Sequence, residues 1–447
     1  MTAFPISLDR PPRFAAPLPK DADVVVIGGG IAGVMTAWFL TKSGQKVVLC
    51  EKGRIAGEQS SRNWGWIRKQ GRDPSELPMM IEALEIWRGL QAEAQTDLGF
   101  REAGVLYLAN GPADMDQYEG WMVHARAHGL DTRMLSRAEL EARLPNAAGW
   151  VGGILTPSDA RAEPWLAVPA LAGALERMGC AVAEDCAVRA LDIAAGHVAG
   201  VVTERGRVRA DRVVVAGGAW SSLLLRAHGI GLPQLSVRAT VSATVPLDFR
   251  FDAAAADNRF AFRKRQDGGL TLTPGGAHDF WIGPDAFRHL RAFLPVLRKD
   301  WRSTSFHAAA PKGYPDAWGT PRRWTADDES PFERLRILDP APNLAFVERV
   351  RDQFAAAFPR VGRPAIASAW AGMIDTMPDV VPVIDHVAAL PGLTVCTGLS
   401  GHGFGIGPGV GRATADLVMG RAPGHDLSRF RLSRFTDGSE ITIGPSL

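Results

Sequence analysis

Cysteine is scarce in this 447-residue chain: Cys50, Cys180, Cys186 and Cys396 are the whole set. Their spacing gives no metal-type pairing, and Cys50 and Cys396 sit within apolar, strand-like runs. That argues against a disulfide scaffold or a metal module and fits a reducing cytoplasm. No apolar run reaches transmembrane length without a glycine or a charge, so no integral membrane segment is expected. Residues 1–20 contain five prolines and no continuous apolar stretch, which is not a secretory signal and reads as an extended arm. Strong charge is missing too. A net charge of +2 and a pI near 8.4 give no reason to expect a nucleic-acid partner and leave the charge composition uninformative about others. No internal repeat is visible.

What is present is a globular composition, 46% apolar and 22% charged, in a chain long enough for two domains with a large core. The most informative segment is residues 24–53. The strand Val24–Ile27 leads into Gly28-Gly29-Gly30-Ile31-Ala32-Gly33, an apolar helix-like stretch follows, and a second strand ends at Glu51. In Gly28-x-Gly30-x-x-Gly33 the missing side chains permit a tight turn, close approach of a pyrophosphate and close helix-to-strand contact, with the helix dipole facing the phosphates. Glu51 lies twenty-one residues beyond Gly30, where a carboxylate accepts from adenosine ribose hydroxyls and repels a 2′-phosphate. Strand, glycines, helix, strand and acid in this order make a dinucleotide-binding βαβ unit.

A polar loop, residues 57–68, comes next, then a helix with Met80, Ile81, Leu84, Trp87 and Leu90 at helical spacing. Pro164 opens another helix, with Leu166, Leu171, Leu175 and Met178 on one side, ended by Gly179. Residues 181–190, 197–203 and 207–210 alternate like short strands, and 212–220 is a buried strand running into a glycine turn, which suggests a return to the first sheet. From 237 to 324 the texture becomes alternating strands, 238–245, 259–265 and 269–273, with a helix near 287–300. This predicts an antiparallel sheet with one face in a core. A helix over 346–358 carries Phe346, Val350, Phe354 and Phe358 on one stripe. Segments 366–370 and 380–384, a strand at 393–397, a glycine-rich loop at 398–411 and a helix over 411–419 complete the fold, and residues past Pro423 look like a surface tail.

This order resembles the flavoprotein family of D-amino-acid oxidase, glycine oxidase and monomeric sarcosine oxidase, the last two most closely. The residues that carry the likeness are the Gly28–Gly33 fingerprint with Glu51, the 213–220 strand-turn, Trp370-Ala371-Gly372, Met377-Pro378-Asp379, Pro382-Val383-Ile384-Asp385 and Gly398-Leu399-Ser400-Gly401-His402-Gly403-Phe404. It covers about half the chain, and the middle matches in texture only. The resemblance implies an α/β fold in which a Rossmann-type FAD-binding domain is assembled from residues 20–93, 147–234 and 364–424. An antiparallel-sheet (α+β) substrate domain comes from 94–146 and 235–363, and 1–19 and 425–447 are arms. It further implies oxidation of the C–N bond of an amino acid or secondary amine to an imine, with hydride passing to flavin N5 in a site between the domains. The electron acceptor would be oxygen or a quinone or other carrier, and the oligomeric state stays open.

Residues 398–411 hold seven glycines, so backbone N–H groups and a helix dipole can come close to a flat anionic ring. A second phosphate loop is the alternative, but no register there satisfies GxGxxG. The expected FAD contacts are Gly28, Gly30, Ile31, Ala32, Gly33, Glu51 and Lys52, then Ser60, Ser61 and Arg62 beside the pyrophosphate and flavin. Val188, Ala216, Gly217, Trp220, Gly372, Gly401, His402, Gly403, Phe404 and Gly405 complete the set. His402 is either a hydrogen-bonding or electropositive group near the flavin or a turn histidine satisfied by backbone. Arg68 matches the family's arginine that binds the substrate carboxylate through a planar fork; an exposed basic loop with Arg62, Lys69 and Arg72 is the other reading. Trp64 and Trp66 either wall an apolar or cationic pocket or belong to the core.

Three departures from the family stand out. Gly372 lies near the place of the cysteine that attaches FAD in sarcosine oxidases, and no histidine lies in 57–68, so FAD is expected to be non-covalent. Gly405 replaces a lysine that helps hold the carboxylate. Residues 265–298 contain no lysine to match the one that activates oxygen over the flavin. Two other classes compete: an NAD-dependent dehydrogenase, for which the first motif alone would suffice, and a non-catalytic or accessory flavoprotein subunit. A disulfide reductase-like flavoenzyme needs a second GxGxxG unit and a reactive cysteine pair, and both are missing.

Overall fold

Four consecutive buried residues, Val24–Ile27 (β1), lie at the centre of a six-stranded sheet in the computed structural model, which describes residues 4–444. Residues 1–3 and 445–447, parts of the two expected arms, are outside the described residues. β1 pairs in parallel with Val47–Cys50 (β2) on one side and with Val213–Val215 on the other. Ala181–Ala183 extends the sheet beyond β2 and Leu393–Thr397 extends it beyond Val213–Val215, both in parallel. Val383–His386, at the far edge, runs antiparallel. Val24 and Val26 point into one core cluster and Val25 and Ile27 into another, so both faces are covered. That is why these strands read as unbroken apolar runs instead of alternating ones. Helix Ile31–Lys42 (α1) follows β1, and the expected strand-and-glycine element does rejoin this sheet.

The second large sheet has ten strands and is mainly antiparallel. Its order is Thr304–His307, His278–Trp281, Leu235–Thr244, Leu270–Pro274, Phe260–Lys264, Ala254–Ala256, Val105–Ala109, Gly152–Thr156 and Arg133–Ser136, with Ile366–Thr376 also paired on Leu235–Thr244. Two joints are parallel, Ala254–Ala256 with Val105–Ala109 and His278–Trp281 with Thr304–His307. Gly152–Thr156 and Ile366–Thr376, grouped by the sequence with the dinucleotide-binding segments, pair here. The helix Leu344–Ala357 packs Val350 and Phe354, with Phe358 just beyond it, against Phe260 and Phe262.

Several expectations change. The glycines of 398–411 are mostly helical: the last long helix is Gly403–Val418, not a loop with a helix from 411. An added Cβ at Gly407 would lie 2.5 Å from Ile31, at Gly411 2.5 Å from Met35, and at Gly409 2.5 Å from the Met79 carbonyl oxygen. Alternate glycines therefore let this helix lie directly on α1 and on Leu77–Ala94, a contact that local propensity reads as a helix-breaking run. In Pro164–Arg177 the packed face is Ala167, Val168, Leu171, Ala172 and Leu175, while Leu166 and Met178 are exposed; small residues allow the closer seat. The amino-terminal arm is tied down, with Phe14 in the core and the Glu184 carboxylate accepting the Arg13 and Phe14 N–H groups at 2.6 and 3.3 Å. The expected surface tail is anchored as well. Phe430 is buried, and Arg434 forks onto Asp379 at 2.8 and 3.1 Å.

Gly411→Val is expected to destabilise the protein by about 1–3 kcal/mol or more, because the added atoms have no room against Met35. Gly120→Ala, in the helix Pro112–Ala127 with nothing near its added Cβ, should stabilise by about 0.5–1 kcal/mol. Urea denaturation compares them, and equal effects would remove the close-packing role.

Candidate active site

The N-termini of α1 and of Gly403–Val418 open on one cavity of about 550 Å3. β1 runs into Gly28, whose φ of +111° is a left-handed conformation and whose added Cβ would lie 2.4 Å from the Ala216 carbonyl oxygen. At Gly33 the added atom would sit 1.9 Å from the Gly28 carbonyl oxygen, the close helix-to-strand contact. Gly30 differs. A Cβ there would approach Ser60 Oγ at 3.1 Å and otherwise enter the open cavity ahead of α1. That is the space a dinucleotide pyrophosphate needs, so the residues fit such a group.

Ser60 Oγ accepts the Ile31 N–H at 2.9 Å and ties its loop to the helix start. Glu51 accepts the Gly29 N–H on one oxygen and the Gly53 N–H on the other, both at 2.7 Å. Each oxygen keeps a second lone pair, so holding the loop does not prevent it from accepting a ribose hydroxyl. Burial pushes this carboxyl up to about 7. Lys52 lines the cavity, but its ammonium donates to Glu58 and to the Arg336 carbonyl at 2.7 Å each and lies 4.4 Å over the Trp220 ring. Ile31, Ala32, Val188, Ala216, Gly217 and Trp220 share this end of the wall. Three expected contacts stand behind it: Gly33 as above, Ser61, which donates to the Ala56 carbonyl at 2.5 Å, and Gly405, whose carbonyl accepts from Trp87 Nε1 at 2.9 Å.

Arg62 is buried beside Gly372, where an added Cβ would meet it at 3.2 Å. Its Nη1 donates to Asp339 at 2.5 Å and to the Ala371 carbonyl at 2.9 Å, while its buried Nη2 has no protein partner. Gly401, His402, Gly403 and Phe404 line the cavity at the start of the last helix.

The basic loop is not a solvated one, because Arg62, Lys69 and Arg72 are all buried. Arg72 lines the cavity and donates from Nη2 to the His402 carbonyl at 3.1 Å and from Nε to the Arg68 carbonyl at 3.2 Å. Glu76 lies behind it, 4.0 Å from Arg72 Nη1 and 3.8 Å from His402 Nδ1. Arg72 Nη1, Glu76 Oε1 and His402 Nδ1 are buried without hydrogen-bond partners in the protein. Burial lowers Arg72 to about 10 and lifts Glu76 to about 7. Burial, then Arg72 and Arg68, hold His402 well below its ordinary range, so at neutral pH it is an uncharged imidazole that backbone does not satisfy at Nδ1. A positive field at this end comes from the guanidiniums instead.

Arg68, half-buried on the cavity wall, donates to the Gln70 carbonyl and lies 5.5 Å over the Tyr107 ring. Asp159, wholly buried beneath it, accepts the Lys69 and Gln70 N–H groups at 2.8 and 3.2 Å and fixes this turn. Trp64 and Trp66 meet edge to face at 5.3 Å, and Tyr107 and Tyr118 continue the wall at centroid steps of 6.2 and 6.4 Å. Trp66 also packs in the core around Leu77 and Tyr107, so pocket and core are the same place. Glu76, Tyr107, Tyr118 and Asp375 escaped the sequence reading, and Arg72 entered it only as part of an exposed basic loop. Asp375 accepts the Gly398 N–H at 2.9 Å and orients the last loop. The tyrosines had a signal, since the chain has three and two are in this wall; Gly71-Arg72-Asp73 looks like an ordinary surface turn.

A βαβ cradle, a second strand-turn on the same sheet and a carboxy-terminal helix aimed into the same cavity define a dinucleotide-binding oxidoreductase. Residues 23–417 match the profile of the FAD dependent oxidoreductase family (DAO), and the chain belongs to it, with FAD as its cofactor. The NAD alternative falls with that match. The chain is 25% identical to the sarcosine oxidase subunit beta of Rhizobium meliloti (strain 1021) over 438 residues, 96% of this chain and 92% of that one. It is 26% identical to the peroxisomal sarcosine oxidase of Homo sapiens over 92% of this chain and 96% of that one. Among solved structures, the L-amino acid deaminase from Proteus myxofaciens in complex with anthranilate superposes with a TM-score of 0.90 at 29% identity, covering 95% of this chain and 96% of that one.

Glu76 supplies a pH test. Its carboxyl is raised from 4.5 to about 7, so its contribution to stability is complete below pH 4.5 and is lost as the pH rises through 7. Glu76→Gln should remove on the order of 3 kcal/mol of that fall, measured by denaturing the flavin-loaded protein across this range. An unchanged pH slope would show that Glu76 does not titrate there.

Proposed function

We propose that the substrate is an α-amino acid, primary or N-alkylated, whose C–N bond is oxidised to the imine while Arg68 holds its carboxylate. The observation that carries this reading is the pair of guanidiniums, Arg68 and Arg72, at the cavity end that also holds the start of the last helix. When bound, FAD supplies at N5 the acceptor for the α-hydrogen and its electron pair, and water hydrolyses the imine released. Arg68 presents a planar fork that orients the carboxylate, and Arg72, pinned by the Arg68 and His402 carbonyls, adds charge behind it. Trp64, Trp66 and Tyr107 shape the space for the rest of the substrate. The amides of Gly30 and Ala32 at the start of α1 would hold the pyrophosphate, with the Ile31 amide kept on Ser60, and Glu51 would hold the ribose. The amides of Gly401, Gly403 and Phe404 and the helix dipole would favour negative charge on the ring, while the His402 amide stays on the Leu399 carbonyl. The names of the amino-acid relatives support the substrate class. Residues 20–93, 147–234 and 364–424 would form the FAD-binding unit and 94–146 and 235–363 the substrate unit, with Gly152–Thr156 and Ile366–Thr376 lending their strands to the substrate unit's sheet. Gly372 beside Arg62 leaves no attachment group there, which supports a non-covalent flavin.

Arg68→Ala should keep one acid-releasable FAD per chain yet lose about 2–5 kcal/mol of transition-state stabilisation toward amino acids, read as kcat/KM. Arg68→Lys should recover little, since an ammonium cannot reproduce the fork. Nearly normal turnover by Arg68→Ala with unchanged flavin content would sink the carboxylate assignment and point to the aromatic wall.

The acceptor proposed is a carrier other than oxygen. Among the described residues Lys52 is the cavity's one lysine, and its ammonium is already occupied. Superoxide forming near flavin N5 would gain little from it, and the guanidiniums there are committed, Arg68 to the substrate carboxylate and Arg72 to the Arg68 and His402 carbonyls. An artificial acceptor should outpace oxygen with the same substrate; hydrogen peroxide formed in air as fast as imine would overturn this.

A further inference from the structure

Outside the cavity, among the described residues, the exposed large aromatic side chains include three in and beside one helical segment. Phe287, Trp318 and Trp301 are 63%, 58% and 55% exposed, and Leu290 and Leu297 are exposed with them. Phe287 and Trp318 have ring centroids 6.1 Å apart. Leu290, Leu294, Leu297 and Trp301 recur at helical spacing along the helix Leu290–Asp300 and its first following residue, and so share one face. That helix buries one residue, Phe293, against the body, which leaves Leu290, Leu297 and Trp301 exposed and Leu294 half-buried between them. A second stripe runs beside it: Arg291, Arg298 and Arg302 repeat at the same spacing, all exposed, with the Arg302 guanidinium 5.3 Å over the Trp301 ring. Lys299 adds to it, and none of these four cations forms an ion pair among the described residues. Asp300 is the helix's single acid. The net charge of +2 conceals this local excess.

We propose that this face docks on the surface of an anionic phospholipid bilayer. Leucine and aromatic side chains beside a ridge of guanidiniums are what a helix lying in the plane of a charged interface requires, with the rings at headgroup depth and the cations on the phosphates. The helix lies on the surface and does not cross it, since among the described residues no helix is long and apolar enough to span a bilayer. A second copy fits less well. A two-fold contact through this face would set Arg291, Arg298 and Arg302 against the same residues of the other copy, like charge on like.

The test is flotation of the full-length, flavin-loaded protein with vesicles of phosphatidylcholine alone or of phosphatidylcholine with phosphatidylglycerol. The protein should float with the anionic vesicles, stay behind with the neutral ones, and detach as salt rises. Leu290→Ser/Trp301→Ser and, separately, Arg291→Glu/Arg298→Glu/Arg302→Glu should each weaken vesicle binding about tenfold or more while keeping flavin content and turnover with a soluble acceptor. Flavin content reports folding, and if the apolar variant lost its flavin the charge-reversal variant would decide alone. Failure to float with anionic vesicles, or binding that charge reversal leaves untouched, overturns the proposal. So does a concentration-dependent dimer that Leu290→Ser/Trp301→Ser converts to monomer, which would make the face a contact between copies.

Discussion

The contact between α1 and Gly403–Val418 governs the rest of the molecule. With no side chain at Gly407 or Gly411, the two helices approach to the distance at which backbone meets Ile31 and Met35 directly. Their N-termini then face one cavity, although some 370 residues of chain separate them. Two sets of free N–H groups and two aligned dipoles are thereby aimed into the same volume. One suits the phosphates of a dinucleotide and the other a ring that becomes negative. Any residue larger than glycine at these positions would tilt the second helix and separate the two sets.

The second organising feature is the cost of burying charge beside the cavity. Arg72, Glu76 and Asp159 are almost wholly removed from water, with His402 largely so, and desolvation is the first cause of every shift at these groups. Apolar residues would stabilise such a site more. What the charges provide is a fixed turn under Arg68 and a guanidinium held against the backbone of the His402 loop. Residues that a stability argument would remove are therefore the ones that set the geometry of the substrate end.

Much of this was legible in the sequence. The βαβ unit, the return strand at 213–215, the antiparallel middle and the phenylalanine stripe of Leu344–Ala357 all follow from periodicity and glycine placement, because local pattern and tertiary role agree there. Agreement failed at Gly403–Val418, where glycines chosen for helix contact look like a loop, and at Leu166, where the small residues on another face of the helix pack better. The anchored ends were invisible for a different reason: Phe14, Phe430 and Arg434 are single residues whose partners, Glu184 and Asp379 among them, lie far away in the chain. Within the site, Arg68, Trp64 and Trp66 could be named because they follow a motif. Arg72 was visible only as one cation of a basic loop and Glu76 not at all, since a buried ion pair looks like any surface turn until the fold closes over it.

The strand order of the central sheet also carries a consequence for synthesis. Val26 pairs with Val214, and Val214 with Thr394, so each joint closes a loop of more than a hundred and fifty residues. A chain emerging from the ribosome can form β1, α1 and β2 early, but their neighbouring strands arrive only much later and the helix that completes the cavity comes later still. The glycine cradle thus exists long before the protein can retain what it was shaped for. Cofactor capture has to wait for Gly403–Val418, and until Val213–Val215 is made the open edge of β1 is an unpaired strand that the cell has to keep from its neighbours.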